Sequence, residues 1–210
     1  MDYEYILPQE IEKRSFEIID KELEARNIVL EEEKKPVIMR TIHTSADFDY
    51  ATTLTFSEHA METALRLLRN GSDIVTDTNM AKTGINRQNL KKLGGRVHCF
   101  MAEEDVALEA KERGVTRAAV SMERAAGLGR PLIFAIGNAP TALISLYEMM
   151  QGGVYVPEFV IGVPVGFVNV EAGKELIMAS KVEYIVNRGR KGGSNVAAAI
   201  VNALMLAALS

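Results

Sequence analysis

A single cysteine, Cys99, and no tryptophan are the first absences in this sequence. One thiol cannot close an internal disulfide, so the fold is expected to stand on its core without covalent cross-links. A long apolar run is missing too. The longest, from Val196 to Leu209, is interrupted by Asn202 and falls short of the roughly 20 residues that span a bilayer, so it reads as a buried or interface helix. The N-terminal MDYEYILPQEIEKRSF has neither the basic start nor the apolar centre of a secretory signal. The expected location is cytoplasmic, with no membrane partner. Aromatic residues make up 6% of the chain, and no basic stripe with interleaved aromatics is visible, which argues against a nucleic-acid partner.

What is present is enough apolar material for one sizeable core, 48% hydrophobic and 25% charged residues in 210. A single domain over residues 1–210 is expected. The net charge of −4 is unevenly spread: residues 1–35 carry eleven acids and six bases, leaving seventeen acids and eighteen bases on the rest. The body is close to neutral.

Pro8 opens a helical pattern with Ile11, Ser15, Ile18, Ile19 and Leu23 on one face, and Glu31 to Lys35 reads as a charged linker. Pro36 suits the start of a helix running towards His43. A short strand, TLTF, follows at 53–56, and Ser57 is placed to cap the helix ended by Gly71. Strand-like and helix-like segments then alternate: DIVTD, RVHCFM, PLIFAIG, FVIGVPVG and EYIVNRG, each followed by a helical stretch. Short apolar strands in such alternation predict an α/β fold, a parallel sheet covered by helices on both faces.

Ligands of open α/β sheets settle beyond the carboxyl ends of the strands, which directs attention to TDTN at 76–79, GNAPT at 137–141 and RGRKGGS at 188–194. The last combines three glycines, which let backbone amides approach a ligand, with Arg188, Arg190 and Lys191 and a following helix N-terminus. It reads either as an anion site or as a glycine-rich turn with solvated bases. It is not a P-loop, and it lies at the last strand rather than the first βα turn of a dinucleotide fingerprint, so a carboxylate-rich ligand fits it as well as a phosphate.

Three histidines limit the candidates for proton chemistry near neutral pH. His98 and Cys99 are strand neighbours whose side chains point to opposite faces, so they cannot share a metal ion. His59 falls in the first turn of an amphipathic helix. His43 has Arg40 three residues before it and Asp47 four after, on one face if the helix persists, with Thr41, Thr44 and Ser45 nearby.

Six segments, in order, carry a resemblance over nearly the whole chain: RSF at 14–16, RTIHT at 40–44, DTNMAKTGI at 77–85, IGNAPTAL at 136–143, VIGVPVGFV at 160–168 and RGRKGGS at 188–194. Together they resemble the precorrin-8X (cobalt-precorrin-8) methylmutase family. Glu183, where the family pattern leads one to expect proline, is a departure that bears on the entry to the last strand. The resemblance implies a flavodoxin-like three-layer fold with a mainly parallel five-stranded sheet. It further implies a homodimer without cofactor or metal, and an isomerase of cobalamin biosynthesis that moves a methyl group from C11 to C12 of a corrinoid.

The substrate's acetate and propionate arms would account for bases and exposed amides at strand ends. Carried over residue by residue, the family's catalytic histidine falls on His43. Substrate contacts fall on Ser15, Arg40, Thr44, Thr83, Gly84, Arg117, Asn138 and the loop of Arg190, Lys191, Gly192, Gly193 and Ser194. Asn138 could equally cap the helix begun by Pro140. A non-catalytic corrinoid carrier and a nucleotide-binding α/β enzyme are the alternatives: turnover of precorrin-8 excludes the first and a co-purifying visible chromophore the second.

Overall fold

A computed structural model describes residues 5–210; the start of the N-terminal stretch, residues 1–4, lies outside it. A 3-10 turn, Pro8–Glu10, leads into α1 (Ile11–Ala25), α2 (Lys35–Ser45), α3 (Tyr50–Thr53), β1 (Leu54–Phe56) and α4 (Ala60–Arg69). There follow β2 (Asp73–Thr76), α5 (Asn79–Gly84), α6 (Arg87–Lys92), β3 (Val97–His98), α7 (Glu104–Arg113) and α8 (Arg117–Ala126). The chain ends with β4 (Leu132–Ile136), α9 (Pro140–Gln151), β5 (Phe159–Gly162), α10 (Val170–Met178), β6 (Glu183–Asn187) and α11 (Ser194–Leu209).

The strands form one sheet in the order β1-β6-β5-β4-β2-β3. Five of them are parallel, in the flavodoxin-like winding that reverses direction between β2 and β4. The sheet has six strands rather than the expected five, because TLTF adds an antiparallel edge to β6. Residues of β2, β4 and β5 are buried throughout, as expected of parallel strands sandwiched between helices.

Strand neighbours feed opposite cores, a consequence of the two-residue period of the backbone. Ile74, Ile133, Ile161 and Ile185 pack under α2, α4 and α11. Val75, Phe134, Val160 and Val186 pack under α8, α9 and α10. Helix α11 lies against α2, α4 and α5 and is buried on nearly every side, which is why its sequence is apolar all round. Its hydrophobicity therefore belongs to this chain's own core, not to the surface of an interface helix.

Two local expectations are corrected. Ser57 does not cap α4, which begins three residues later. The antiparallel pairing of β1 with β6 instead brings its hydroxyl to the Glu183 carboxylate, which also accepts the His59 N–H at 3.1 Å, while Tyr184 N–H donates to Ser57 Oγ at 2.8 Å. Glu183 thus straps the entry of β6 to the β1–α4 turn. On α1 the buried stripe is Phe16, Ile19 and Leu23, with Ile11 and Ile18 exposed, because the helix docks by one side only.

The carboxyl edge is tightly packed around Gly137. A Cβ there would lie 2.7 Å from the Gly193 carbonyl oxygen and from Ser194 Cα. Both are backbone atoms, so they cannot swing aside. Gly137→Ala is expected to cost roughly 1–3 kcal/mol through overpacking, lowering the melting temperature by about 2–4 °C per kcal/mol in a chain of this size. Calorimetry showing an unchanged melting temperature would mean that the two loops can part freely.

Candidate active site

The burial of Val37, Ile38, Met39, Thr41 and Ile42 fixes the inward side of α2. His43 in the last turn is turned out to solvent. Its ring sits 5.3 Å from that of Phe16 on α1. Arg40, one turn earlier, stacks its guanidinium 5.3 Å above the same Phe16 ring and pairs with Glu12 at 2.8 Å. Two clefts meet at the imidazole. One of about 250 Å³ is lined by Arg40, Thr44, Gly84, Asn195 and Asn202, and another of about 450 Å³ by Ser15, Ile18, Glu22, Arg26 and Phe48. The fold thus gathers His43, Arg40, Thr44, Ser15 and Gly84 from three segments, α1, α2 and α5, and Thr83 stands exposed beside Gly84.

Asp47 does not orient the imidazole. Ala46 takes a left-handed conformation, φ 53°, and ends α2 before Asp47 can reach the His43 face. The Asp47 carboxylate instead accepts Lys191 Nζ and the Asp49 N–H, at 2.6 and 3.0 Å. The Lys191 ammonium holds this carboxyl below its ordinary range. Among the described residues no side chain hydrogen-bonds the His43 ring, so both its nitrogens are available to a ligand.

Asn195 and Asn202 were not legible as site residues. Asn202 Nδ2 donates to the Gly84 carbonyl at 2.9 Å, and its Oδ1 accepts the Asn86 N–H at 2.8 Å, which fixes the link between α5 and α6 beside the cleft. The sequence signal was its place as the polar break in an otherwise buried helix. A Cβ on Gly84 would meet Ala198 Cβ at 2.8 Å, so glycine permits the close approach of α5 to α11.

The glycine loop is built as a rigid turn, with its bases engaged within the chain. Lys191 Nζ lies 2.6 Å from both Asp47 and Asp49, and Arg190 pairs with Glu171 at 3.1 Å with its guanidinium 5.6 Å from the Phe167 ring centroid. From below, buried Lys174 donates to the carbonyls of Gly189 and Lys191 at 2.7 and 2.9 Å. Asn187 Nδ2 donates to those of Arg188 and Lys191. Gly192 and Gly193 adopt φ of 158° and 143°, and the Gly193 N–H is spent on the Val163 carbonyl. The Ser194 hydroxyl lies 2.8 Å from that of Thr78, the cap of α5.

At the reversal point between β2 and β4, the buried Asp77 carboxylate accepts the N–H groups of Gly137, Asn138 and Ala139 at 2.9, 2.7 and 2.5 Å. Burial pushes this carboxyl above its ordinary range despite the three donors. Asn138 does not cap α9, and its side chain is exposed at the carboxyl edge. Arg117 is the exposed first residue of α8, in the helical layer opposite His43.

Of the other histidines, His98 binds buried Asp73 at 2.9 Å and stacks on Phe100, and His59 faces Glu62 at 3.9 Å. Among the described residues, no three His, Cys, Asp or Glu side chains gather to hold a metal ion.

A sequence model of the precorrin-8X methylmutase family matches residues 10–207. The chain is 40% identical to a cobalt-precorrin-8 methylmutase of Priestia megaterium, over 97% of this chain and 89% of that protein. It is 41% identical to one of Salmonella typhimurium over 94% of each, and 39% identical to a precorrin-8X methylmutase of Pseudomonas aeruginosa over 93% and 94%. A solved precorrin-8X methylmutase structure from Thermus thermophilus superimposes with a TM-score of 0.85 at 36% identity, covering 95% of this chain and 98% of that one.

The buried ammonium of Lys174 gives the glycine loop a pH signature. Burial lowers its pKa to about 8, against 10.5 for a free lysine. Between these values the unfolded chain holds the proton and the folded chain has released it, so stability rises with pH across that window. Urea midpoints for the wild type and Lys174→Met should diverge in the wild type's favour as pH rises through that window, by no more than roughly 3 kcal/mol. A gap that stays constant across the window would mean that the amine titrates at the ordinary value.

Proposed function

We propose a reaction from one premise: the chain belongs to the precorrin-8X methylmutase family. Members of this family are isomerases of cobalamin biosynthesis that convert precorrin-8X to hydrogenobyrinate. In the reaction proposed here, the methyl–C11 bond of the bound macrocycle breaks as the methyl–C12 bond forms, with no change in oxidation state.

The observation that carries the mechanism is the outward imidazole of His43, at the meeting of two clefts and without a hydrogen-bond partner among the described side chains. A methyl group migrates more readily around a conjugated ring made electron-poor, and protonation of a ring nitrogen, or a strong hydrogen bond to it, withdraws electron density. Histidine suits this task because imidazoles as a class can both give and take a proton near neutrality. Phe16, tilted at 45° to the imidazole, limits the ring's swing. Arg40, held on Phe16 and Glu12, serves as a positioned donor to a substrate carboxylate, with Thr44 and Ser15 offering hydroxyls on either side. Precorrin-8X and cobalt-precorrin-8 present the same arms to these groups, and parallel turnover of the two measures any preference.

A cytoplasmic homodimer is part of this reading. Phe167, Val168 and Met80 are 82%, 77% and 70% exposed beyond the strand ends, and a flat macrocycle together with a second copy would cover them.

His43→Ala should lose turnover by about two to four orders of magnitude while product binding is kept. Single-turnover spectroscopy decides: a wild-type rate removes His43 from the chemistry, and parallel loss of binding makes it structural. Sedimentation should show a dimer at micromolar concentration; a fully active monomer overturns that assembly.

A further inference from the structure

Within residues 78–102 the chain carries five lysines and arginines and no aspartate or glutamate, in a protein of net charge −4. Four of the five, Lys82, Arg87, Lys91 and Arg96, line one cleft of about 640 Å³ between α5, α6 and the start of β3. Arg87 and Lys91 stand one turn apart on the same face of α6. Leu90 and Val97 give the cleft an apolar floor, and the side-chain-free Gly94 and Gly95 open one wall. Among the described residues none of the four cations is in an ion pair. Unpaired cations crowded in this way repel one another, and a bound anion relieves the repulsion.

The cleft's place relative to His43 is what gives it a use. Gly84 lines the His43 cleft and Lys82, two residues earlier on α5, lines this one, so the short helix is the partition between them. Of the two clefts that meet at His43, the one walled by α5 measures about 250 Å³, below the roughly 300–1,000 Å³ of pockets that enclose drug-sized ligands. A corrinoid with its carboxylate arms is larger than this cleft, so arms directed to that side extend past α5. The two bases that line the clefts at the imidazole each carry a carboxylate partner that offsets their charge, Arg40 with Glu12 and Arg26 with Glu22. The free positive charge lies across α5.

We infer that the cleft lined by Lys82, Arg87, Lys91 and Arg96 is a polycarboxylate subsite that holds carboxylate arms of the substrate while its reacting edge faces His43. The inference rests on the corrinoid reaction proposed above, and it moves the anion-binding role from the glycine loop to the α5–α6 cleft.

Two ligands and two charge-matched variants test it. Hydrogenobyrinate is titrated by visible absorbance and benzenehexacarboxylate by calorimetry. The proteins are the wild type, the cleft variant Lys82→Gln/Arg87→Gln/Lys91→Gln, and a control variant Lys92→Gln/Lys111→Gln/Lys181→Gln with the same charge removed elsewhere. Both variants should melt as the wild type does. The cleft variant should bind each ligand at least about tenfold more weakly, the control no more weakly than the wild type. If hydrogenobyrinate binds none of the three while the hexacarboxylate still distinguishes them, the proposed reaction falls and a polycarboxylate site remains. If the cleft variant binds hydrogenobyrinate as the wild type does, or the control loses as much, the subsite is overturned and the reaction is untouched.

Discussion

The carboxyl edge of the sheet depends on one buried carboxylate. Asp77 terminates β2, the strand at which the winding reverses, and its two oxygens receive three consecutive backbone N–H groups from the β4–α9 turn. These donors would otherwise be unsatisfied at the start of a helix that opens on Pro140 and has no side-chain cap from its own N-cap residue, Ala139. With the turn fixed, Gly137 lies against Gly193 and Ser194, and Ser194 in turn meets Thr78 next to Asp77. The loops after β2, β4 and β6 are therefore one packed unit. They are joined by the Asp77 carboxylate, by the Thr78 and Ser194 hydroxyls and by the close backbone approach at Gly137, so a substitution at any of these positions is felt in a neighbouring loop.

This unit aims α11. Its first three turns carry Asn195, Ala198 and Asn202 past Gly84 and along the His43 cleft, so the depth of that cleft is set by α11 and its opening by α5. Helix α2 closes the other side and is tied to the same unit by Lys191, whose ammonium joins the glycine loop to Asp47 and Asp49 just beyond the end of α2. The histidine thus stands on an element anchored at both ends: by a buried apolar face against α11, and by an ion pair at its carboxyl terminus. A positioned acid needs such anchoring, since its contribution decays with small errors in distance.

The sequence made the layer architecture legible because every strand of the parallel set is short, apolar and followed by a helical period. The edge strand β1 was visible as TLTF, but its pairing was not, since three residues carry no register signal by themselves. His43 could be singled out among three histidines by its neighbours Arg40 and Thr44, and both line its cleft. Asp47 misled because spacing on a helix has meaning only while the helix lasts, and Ala46 gives no residue-type warning of a left-handed end. For Arg190 and Lys191 it was the partners that were illegible. A run of bases beside glycines looks free when read along the chain, and their acidic partners, Glu171, Asp47 and Asp49, come from other segments.

That pairing has a consequence for how charge can act in the reaction. Arg40 and Arg26 in the walls of the His43 clefts, and Lys191 just beyond the end of α2, are each held by a carboxylate of the chain itself, so their fields are largely cancelled at the distance of a bound macrocycle. On the proposed reading, a polycarboxylate substrate would meet offset charges at His43 and a net positive cleft beyond α5. Attraction of the arms is thereby separated from the electronics of the ring. Strong cations directly against the reacting edge would oppose protonation of a ring nitrogen by like-charge repulsion, whereas cations across a helix hold the arms without that cost. In the reaction proposed for this chain, His43 would donate at the ring while the substrate's negative charge is balanced at a distance.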